Sequence, residues 1–136
     1  MTRTLIIVKP DGVERGLTGE ILARLERKGL RLVAAELRLL DRDIAERHYA
    51  EHVGRPYFEG LVDFITRSHV LVAVVEGPEG TWKVVRTLMG VTNPAEAAPG
   101  TIRGDLAITM GENLIHGSDS AESAQREIGI FFPHLV

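Results

Sequence analysis

Cysteine is absent from the 136-residue chain, so no disulfide framework holds it together and nothing in its composition points to export. Long apolar runs are missing too. The longest, "HVLVAVVEG", is strand length and far short of a membrane span. No basic, apolar, small-residue leader opens the chain, so a cytoplasmic location is expected. Charge of one sign is not in excess: 16 Lys and Arg against 19 Asp and Glu leave a net charge of −3. That gives no general field to attract nucleic acid or an anionic membrane. Neither a P-loop nor a G-x-G-x-x-G pattern occurs, so any phosphate binding must be of another kind. What remains, 44% hydrophobic and 26% charged residues, has the composition of a globular protein. The length predicts one domain over residues 1–136, with one site that oligomerisation could complete.

With no general positive field, a polyanionic ligand must meet a local cluster of cations. Lys9, Arg55, Arg86 and Arg103 each stand beside a turn signal rather than inside a charge run, and only the fold can gather them. "TLIIVK" reads as a buried strand closed by a type I turn at "KPDG". A helix follows, with Leu17, Ile21, Leu22 and Leu25 on one face, Thr18 as its N-cap and Gly29 as its stop. "LRLVAAELRLL" is a second strand, and Asp41 caps a helix carrying Ile44, Ala45, His48, Tyr49 and His52. "GRP" breaks that helix, and Pro56 suits the first turn of the next, which carries Phe58, Leu61, Val62 and Ile65. "VLVAVVEG" is the clearest strand, and residues 81–89 form a further helix. The turn-rich stretch "GVTNPAEAAPGTIRGD" is long enough to be functional. "NLIH" is a short fourth strand, and residues 120–128 form a last helix capped through Asp119 and Glu122. This order predicts an α/β protein, an α+β sandwich with a ferredoxin-like four-stranded antiparallel sheet covered by helices.

On this reading His116, in "NLIHGSDS", stands where a strand ends and a helix is about to begin. Backbone N–H groups at a helix start favour an anion, and Gly117 is expected to leave room for one to approach. An imidazole with an ordinary pKa of about 6.5 offers a neutral nucleophile at physiological pH. A phosphate carried on its nitrogen keeps high transfer potential. The residues alone do not separate this nucleophile from a histidine hydrogen-bonded into a turn.

"NLIHGSDS" resembles the active-site signature of nucleoside diphosphate kinases. The resemblance extends through "IIVKPDGVERGLTGEI", "HYAEHVGRPYFEGLVDFI", "GVTNPAEAAPGTIRGD" and "SAESAQREIGIFF", in the family's order and spacing, and covers essentially the whole chain. It implies that His116 is phosphorylated on Nδ1 by a nucleoside triphosphate, typically ATP, and discharged to a nucleoside diphosphate in ping-pong fashion, with broad base and sugar tolerance. By the same resemblance Lys9 contacts phosphate and the sugar hydroxyl, and Asn113 bonds the sugar 3′-hydroxyl. Arg86, Thr92 and Arg103 match phosphate ligands. Tyr57 stands where the family most often has phenylalanine, the ring on which the base stacks, and Leu61 flanks the base. Glu127 matches the carboxylate that orients the catalytic imidazole, with Ser118 and Tyr49 in support. The resemblance further implies Mg²⁺ carried by the nucleotide phosphates with no metal held by the protein, and a homo-oligomer, usually a hexamer and in some bacterial members a tetramer.

Two rival readings carry different expectations. His48-Tyr-Ala-Glu51-His52 spells H-x-x-E-H, which in a zinc hydrolase places two histidines on one helix face; no third ligand presents itself. A non-catalytic nucleotide-binding module on the same fold has no use for His116 together with Lys9, Asn113, Arg86 and Arg103. The "RGD" at 103–105 reads as coincidence.

Overall fold

The computed structural model describes residues 1–136. Four strands, β1 (Thr2–Val8), β2 (Arg31–Arg38), β3 (Val70–Gly77) and β4 (Ile115–Gly117), form one sheet in the order β2-β3-β1-β4. Every pairing is antiparallel, and the ferredoxin-like expectation holds. β1 and β3 lie in the middle of the sheet, buried on both faces. That is why "LIIV" and "VLVAVV" are continuous apolar runs rather than alternating ones.

The period of two along β1 sorts the core into two layers. Ile6 and Val8 join Ile21 and Leu25 of α2 (Thr18–Lys28), Val85 and Met89 of α5 (Thr81–Met89) and Ile102 of α6 (Ile102–Leu106) on one face. Leu5 and Ile7 pack on the other face. Their partners are Ala45 of α3 (Arg42–His48), Val62 and Ile65 of α4 (Phe58–Thr66), and Ile128 and Phe131 of α7 (Ala121–Phe131). The helices therefore cover both faces. β2 is a half-exposed edge strand with a bulge between Leu32 and Ala34.

Several boundaries follow the expected local chemistry. Gly29 ends α2 at φ 105°, a left-handed turn that glycine enters without steric cost. The Asp41 carboxylate accepts from the Ile44 N–H at 2.9 Å and starts α3. Other boundaries differ. Thr18 is the first residue of α2, whose N-cap is Leu17 with no side-chain cap. α3 ends at His48, so His52 falls in a separate 3-10 turn (Ala50–His52), and β4 begins at Ile115 rather than Asn113. "KPDG" is not an isolated turn but opens a short helix, α1 (Pro10–Glu14), with Pro10 at its first position, where a missing N–H costs nothing. Pro56 lies before α4, whose N-cap is Tyr57. α7 is capped by Ser120, whose hydroxyl accepts from the Ser123 N–H, and not by Asp119. No helix is long and apolar enough to cross a membrane.

The long stretch after α5 is ordered by its own polar side chains. Asn93 accepts from the Ala95 N–H, Thr101 caps α6 through the Gly104 N–H, and Asp105 takes the Gly100 N–H and Arg24. Gly104 is required sterically, because a Cβ there would fall on the Ala98 carbonyl. Gly104→Ala should cost about 1–3 kcal/mol or more through overpacking, read as a lower midpoint in urea unfolding.

Candidate active site

Register decides where the imidazole goes. His116 pairs with Ile7, while Ile115 and Gly117 pair with Val8 and Ile6. Directly opposed residues share a face, so His116 looks toward α3 and α7, and Gly117 toward α5. A Cβ on Gly117 would lie 2.6 Å from Met89 Sδ and 3.3 Å from Val85 Cγ1. The glycine thus lets β4 lie close on α5; the expected room for an anion is not on its side of the strand. β4 ends at once, and the Ser118 N–H continues to the Leu5 carbonyl.

The His116 side chain is 23% exposed, and its Nε2 lies 2.8 Å from Oε1 of Glu127, on α7. The same oxygen accepts the Ser118 hydroxyl at 2.8 Å. A carboxylate that only accepts requires the imidazole proton on Nε2, which leaves Nδ1 with its lone pair in the neutral ring. Burial alone would raise the Glu127 carboxyl, but the hydrogen bond from His116, the neighbouring histidines and Ser118 hold it below its ordinary value. It is therefore ionised at neutral pH.

His48, at the end of α3, packs edge-on against His116, with centroids 4.7 Å apart and planes at 87°. Burial, then the His116 charge, push its pKa down to about 3, so it stays neutral and withholds competing positive charge. The structure separates the H-x-x-E-H residues: His48 is buried, whereas His52 hydrogen-bonds Tyr57 at 2.8 Å. The cleft beside His116, about 210 Å³, is lined by Arg86, Gly117, Asp119, Ser123 and Arg126 besides the histidines and Glu127. Tyr49 and Glu51 complete the lining, so Arg86 and Arg126 stand beside three carboxylates, and an anion there must be met by individual guanidinium groups rather than by a net positive wall.

A second group adjoins through Asn113, which is buried just ahead of β4. Lys9 Nζ donates to Asn113 Oδ1 at 2.9 Å, and Asn113 Nδ2 donates to the Thr92 carbonyl at 3.1 Å. Arg103, 4% exposed, donates to the carbonyls of Asn113, Gly90 and Ile115 at 3.1, 3.1 and 2.6 Å. It therefore braces the loop in addition to any ligand it meets, a use its spacing in the sequence did not disclose. Arg86 reaches the Gly117 carbonyl at 2.9 Å. Lys9 is pushed down to about 8 by burial and by the Arg103 charge, and Arg103 down to about 10 by burial and Arg86. Cations that depress one another await a counter-charge.

Leu114, between Asn113 and β4, is the single non-glycine residue at positive φ, +74°. Such a conformation costs a residue of this kind roughly 1–2 kcal/mol. Tyr57 stands half exposed at the start of α4 and meets the group through His52; Leu61 follows one turn later and is partly buried. Arg55 is exposed and makes no ion pair in the site. "RGD" is accounted for by Arg103 as a loop brace and Asp105 as the partner of Arg24.

The sequence pattern of the family described as nucleoside diphosphate kinase matches residues 2–135. The chain belongs to the nucleoside diphosphate kinase family. It is 61% identical to the nucleoside diphosphate kinase of Thermomicrobium roseum, across 97% of this chain and 88% of that one. To the Archaeoglobus fulgidus enzyme it is 58% identical, across 97% and 87%. Among solved structures, a nucleoside diphosphate kinase family protein from Babesia bovis superposes with TM-score 0.95 at 49% identity, covering 98% of this chain and 90% of that one. The Halobacterium salinarum enzyme, solved with CDP, gives 0.91 at 51%, covering 96% and 86%. The activity of this kinase family is transfer of the terminal phosphate of a nucleoside triphosphate to a nucleoside diphosphate, and it works with a divalent metal on the nucleotide. Mg²⁺ prefers six oxygens. The metal-capable groups that converge here are His48, His116 and Glu127, two nitrogens and a carboxylate already holding two hydrogen bonds, which do not fit a resident Mg²⁺ in this kinase.

Arg103→Ala should destabilise the kinase by about 3 kcal/mol or more, since each stranded buried acceptor costs about 1–3 kcal/mol; thermal unfolding without nucleotide measures this. Lys9 is a cation below its pKa and neutral above it. In the free enzyme kcat/KM should therefore fall as pH rises through about 8, and Lys9→Arg should move that limb upward.

Proposed function

We propose that residues 1–136 work as one domain in which His116 carries phosphate between two nucleotides that use the same cleft in turn. The observation that carries this reading is the bond from His116 Nε2 to Glu127, which leaves Nδ1 unprotonated in a ring that lines a cleft together with Arg86 and Arg126. Nδ1 attacks the γ-phosphorus of a nucleoside triphosphate. The N–P bond forms, the bond from γ-phosphorus to the bridging oxygen breaks, and the diphosphate leaves with the electron pair. A β-phosphate oxygen of a second diphosphate then attacks, and the N–P bond breaks. Glu127 holds the Nε2 proton throughout and offsets the positive charge that the ring gains on phosphorylation.

Lys9, Arg86, Thr92 and Arg103 bind the phosphates, Asn113 the sugar hydroxyl, and Tyr57 with Leu61 the base. The loose transition state spreads charge over equatorial oxygens, which guanidinium groups match. Mg²⁺ enters on the nucleotide and offsets phosphate charge there. The binding of CDP by the Halobacterium salinarum relative supports nucleotide as the ligand class. The kinase acts in the cytoplasm as a homo-oligomer, hexamer in preference to tetramer. Exposed Leu37 on β2 and Leu39 just beyond it, with Val91, Ile108 and Met110 around α6, give apolar surface for such contacts.

Incubation with γ-labelled ATP should leave acid-labile, base-stable label on the protein, and a diphosphate should discharge it. His116→Ala should abolish both labelling and exchange while the protein stays folded. Lys9→Ala and Arg86→Ala should each slow exchange about 10²-fold to 10³-fold. Full turnover by His116→Ala, or phosphate mapped by mass spectrometry to another side chain, refutes this mechanism.

A further inference from the structure

One buried acid has no part in the mechanism. Asp11, in α1, is 2% exposed, and its Oδ1 has no hydrogen-bond partner. Packing alone does not explain it, because a buried carboxylate with an unsatisfied oxygen is costly, and burial indeed raises its pKa. Its other oxygen, Oδ2, accepts the N–H of Leu114 at 3.0 Å across 103 residues of sequence. Leu114 is the residue at φ +74°, and it is fully buried.

Left-handed backbone in a leucine persists only where the surroundings over-determine it. The Ile115 N–H donates to the Asn113 carbonyl at 2.9 Å and closes the turn, and Arg103 holds the carbonyls of Asn113 and Ile115 on either side of it. Three contacts fix Leu114 itself. The Leu114 side chain lies in the α2/α5 core layer. Its carbonyl accepts the Lys9 N–H at 2.8 Å, and its own N–H goes to Asp11. Of all these contacts, the Asp11 carboxylate is the one that takes the Leu114 N–H itself. Gly12 permits the approach, since a Cβ there would lie 2.7 Å from Val8 Cγ1 and 3.2 Å from the Leu114 carbonyl oxygen.

We propose that Asp11 is a positioning residue: by holding the left-handed turn at Leu114, it sets Asn113 against Lys9 and His116 into register with Ile7. Asn113 immediately precedes the turn and His116 follows it by two residues, so relaxation of Leu114 to negative φ displaces one or both. Asp11 touches neither through its side chain. It acts through the backbone of Leu114. The catalytic consequence rests on His116 being the phosphate carrier.

Asp11→Ala removes the acceptor, whereas Asp11→Asn keeps an oxygen that can accept the Leu114 N–H but removes the charge. Both are assayed for exchange, alongside thermal unfolding and amide NMR. Asp11→Ala should lower kcat about 10-fold to 100-fold, as misplacement of reacting groups by about an ångström does, with a smaller change in nucleotide KM. Asp11→Asn should recover kcat to within about threefold of the parent, because the hydrogen bond survives. The Leu114 amide proton, bonded to a carboxylate in the parent, should move upfield in Asp11→Asn. Parental kcat in folded Asp11→Ala overturns the proposal. So does Asp11→Asn as slow as Asp11→Ala, since charge and not the hydrogen bond would then be at work. If Asp11→Ala does not fold, the Leu114 amide in Asp11→Asn decides, and an unmoved resonance overturns the brace. Absence of phosphohistidine in the parent protein refutes the His116 mechanism instead, and leaves the amide measurement valid as a separate test of the turn.

Discussion

The pairing of Ile6, Ile7 and Val8 with Gly117, His116 and Ile115 governs everything chemical in this kinase. β4 is only three residues long, so its register rests on these pairs and on what the two faces of the sheet will accept. A slip of one residue would drive the imidazole into the apolar layer under α5 and turn Gly117 toward α3 and α7. Both misplacements are costly. One buries a polar ring without a partner, and the other separates Glu127 from its donor. The short ladder thus inherits specificity from the cores on either side, and His116 meets His48 and Glu127 because β1 alternates.

The chain is acidic overall, and cations are nevertheless gathered around the segment that carries His116: Arg86 in the cleft beside it, Lys9 and Arg103 around Asn113. This is achieved without a basic run, by tying the two arginines to backbone brought in from elsewhere. Arg103 holds the carbonyls of Gly90, Asn113 and Ile115, and Arg86 holds that of Gly117. Fixed in this way, guanidinium groups lose little further freedom when an anion arrives, which is the condition for preorganised electrostatics. The same bonds make the loop after α5 a structural dependant of the site. Loop order and the proposed phosphate binding draw on one side chain.

Elements whose signal is local were legible in the sequence. "VLVAVVEG" and residues 81–89 match β3 and α5 in full, and Asp41 and Gly29 act at helix ends as their chemistry demands. The misreadings arise where a distant segment decides. "KPDG" has the composition of a turn, and only the burial of Asp11 against Leu114 shows why it opens a helix. Gly117 looked like open space for a ligand because no local pattern reports that Met89 lies beneath it. Ser120 rather than Asp119 is the cap, since both are competent and the choice depends on where α7 starts. The family resemblance brought Lys9, Asn113, Arg86, Arg103 and Glu127 forward together. It did not bring His48 as the wall against the imidazole, although a histidine on the apolar face of α3 is a signal of that kind.

The same wall links chemistry to base recognition. Rings run in edge contact from His116 to His48, Tyr49, His52 and Tyr57, with centroid separations of 4.7, 4.7, 6.1 and 5.4 Å. The end of α3 and the 3-10 turn after it (Ala50–His52) therefore set the position of the proposed base platform and of the imidazole at once. Tyr57 departs from the phenylalanine most frequent in the family, and its hydroxyl is engaged by His52 Nδ1 at 2.8 Å. A phenolic oxygen lies in the plane of its ring, so this bond does not itself cover a π-face, and Tyr57 remains half exposed. Stacking on a π-face discriminates little between bases. The substitution thus adds an anchor for the platform without adding a reader of the base, and broad nucleotide tolerance is compatible with a tyrosine there.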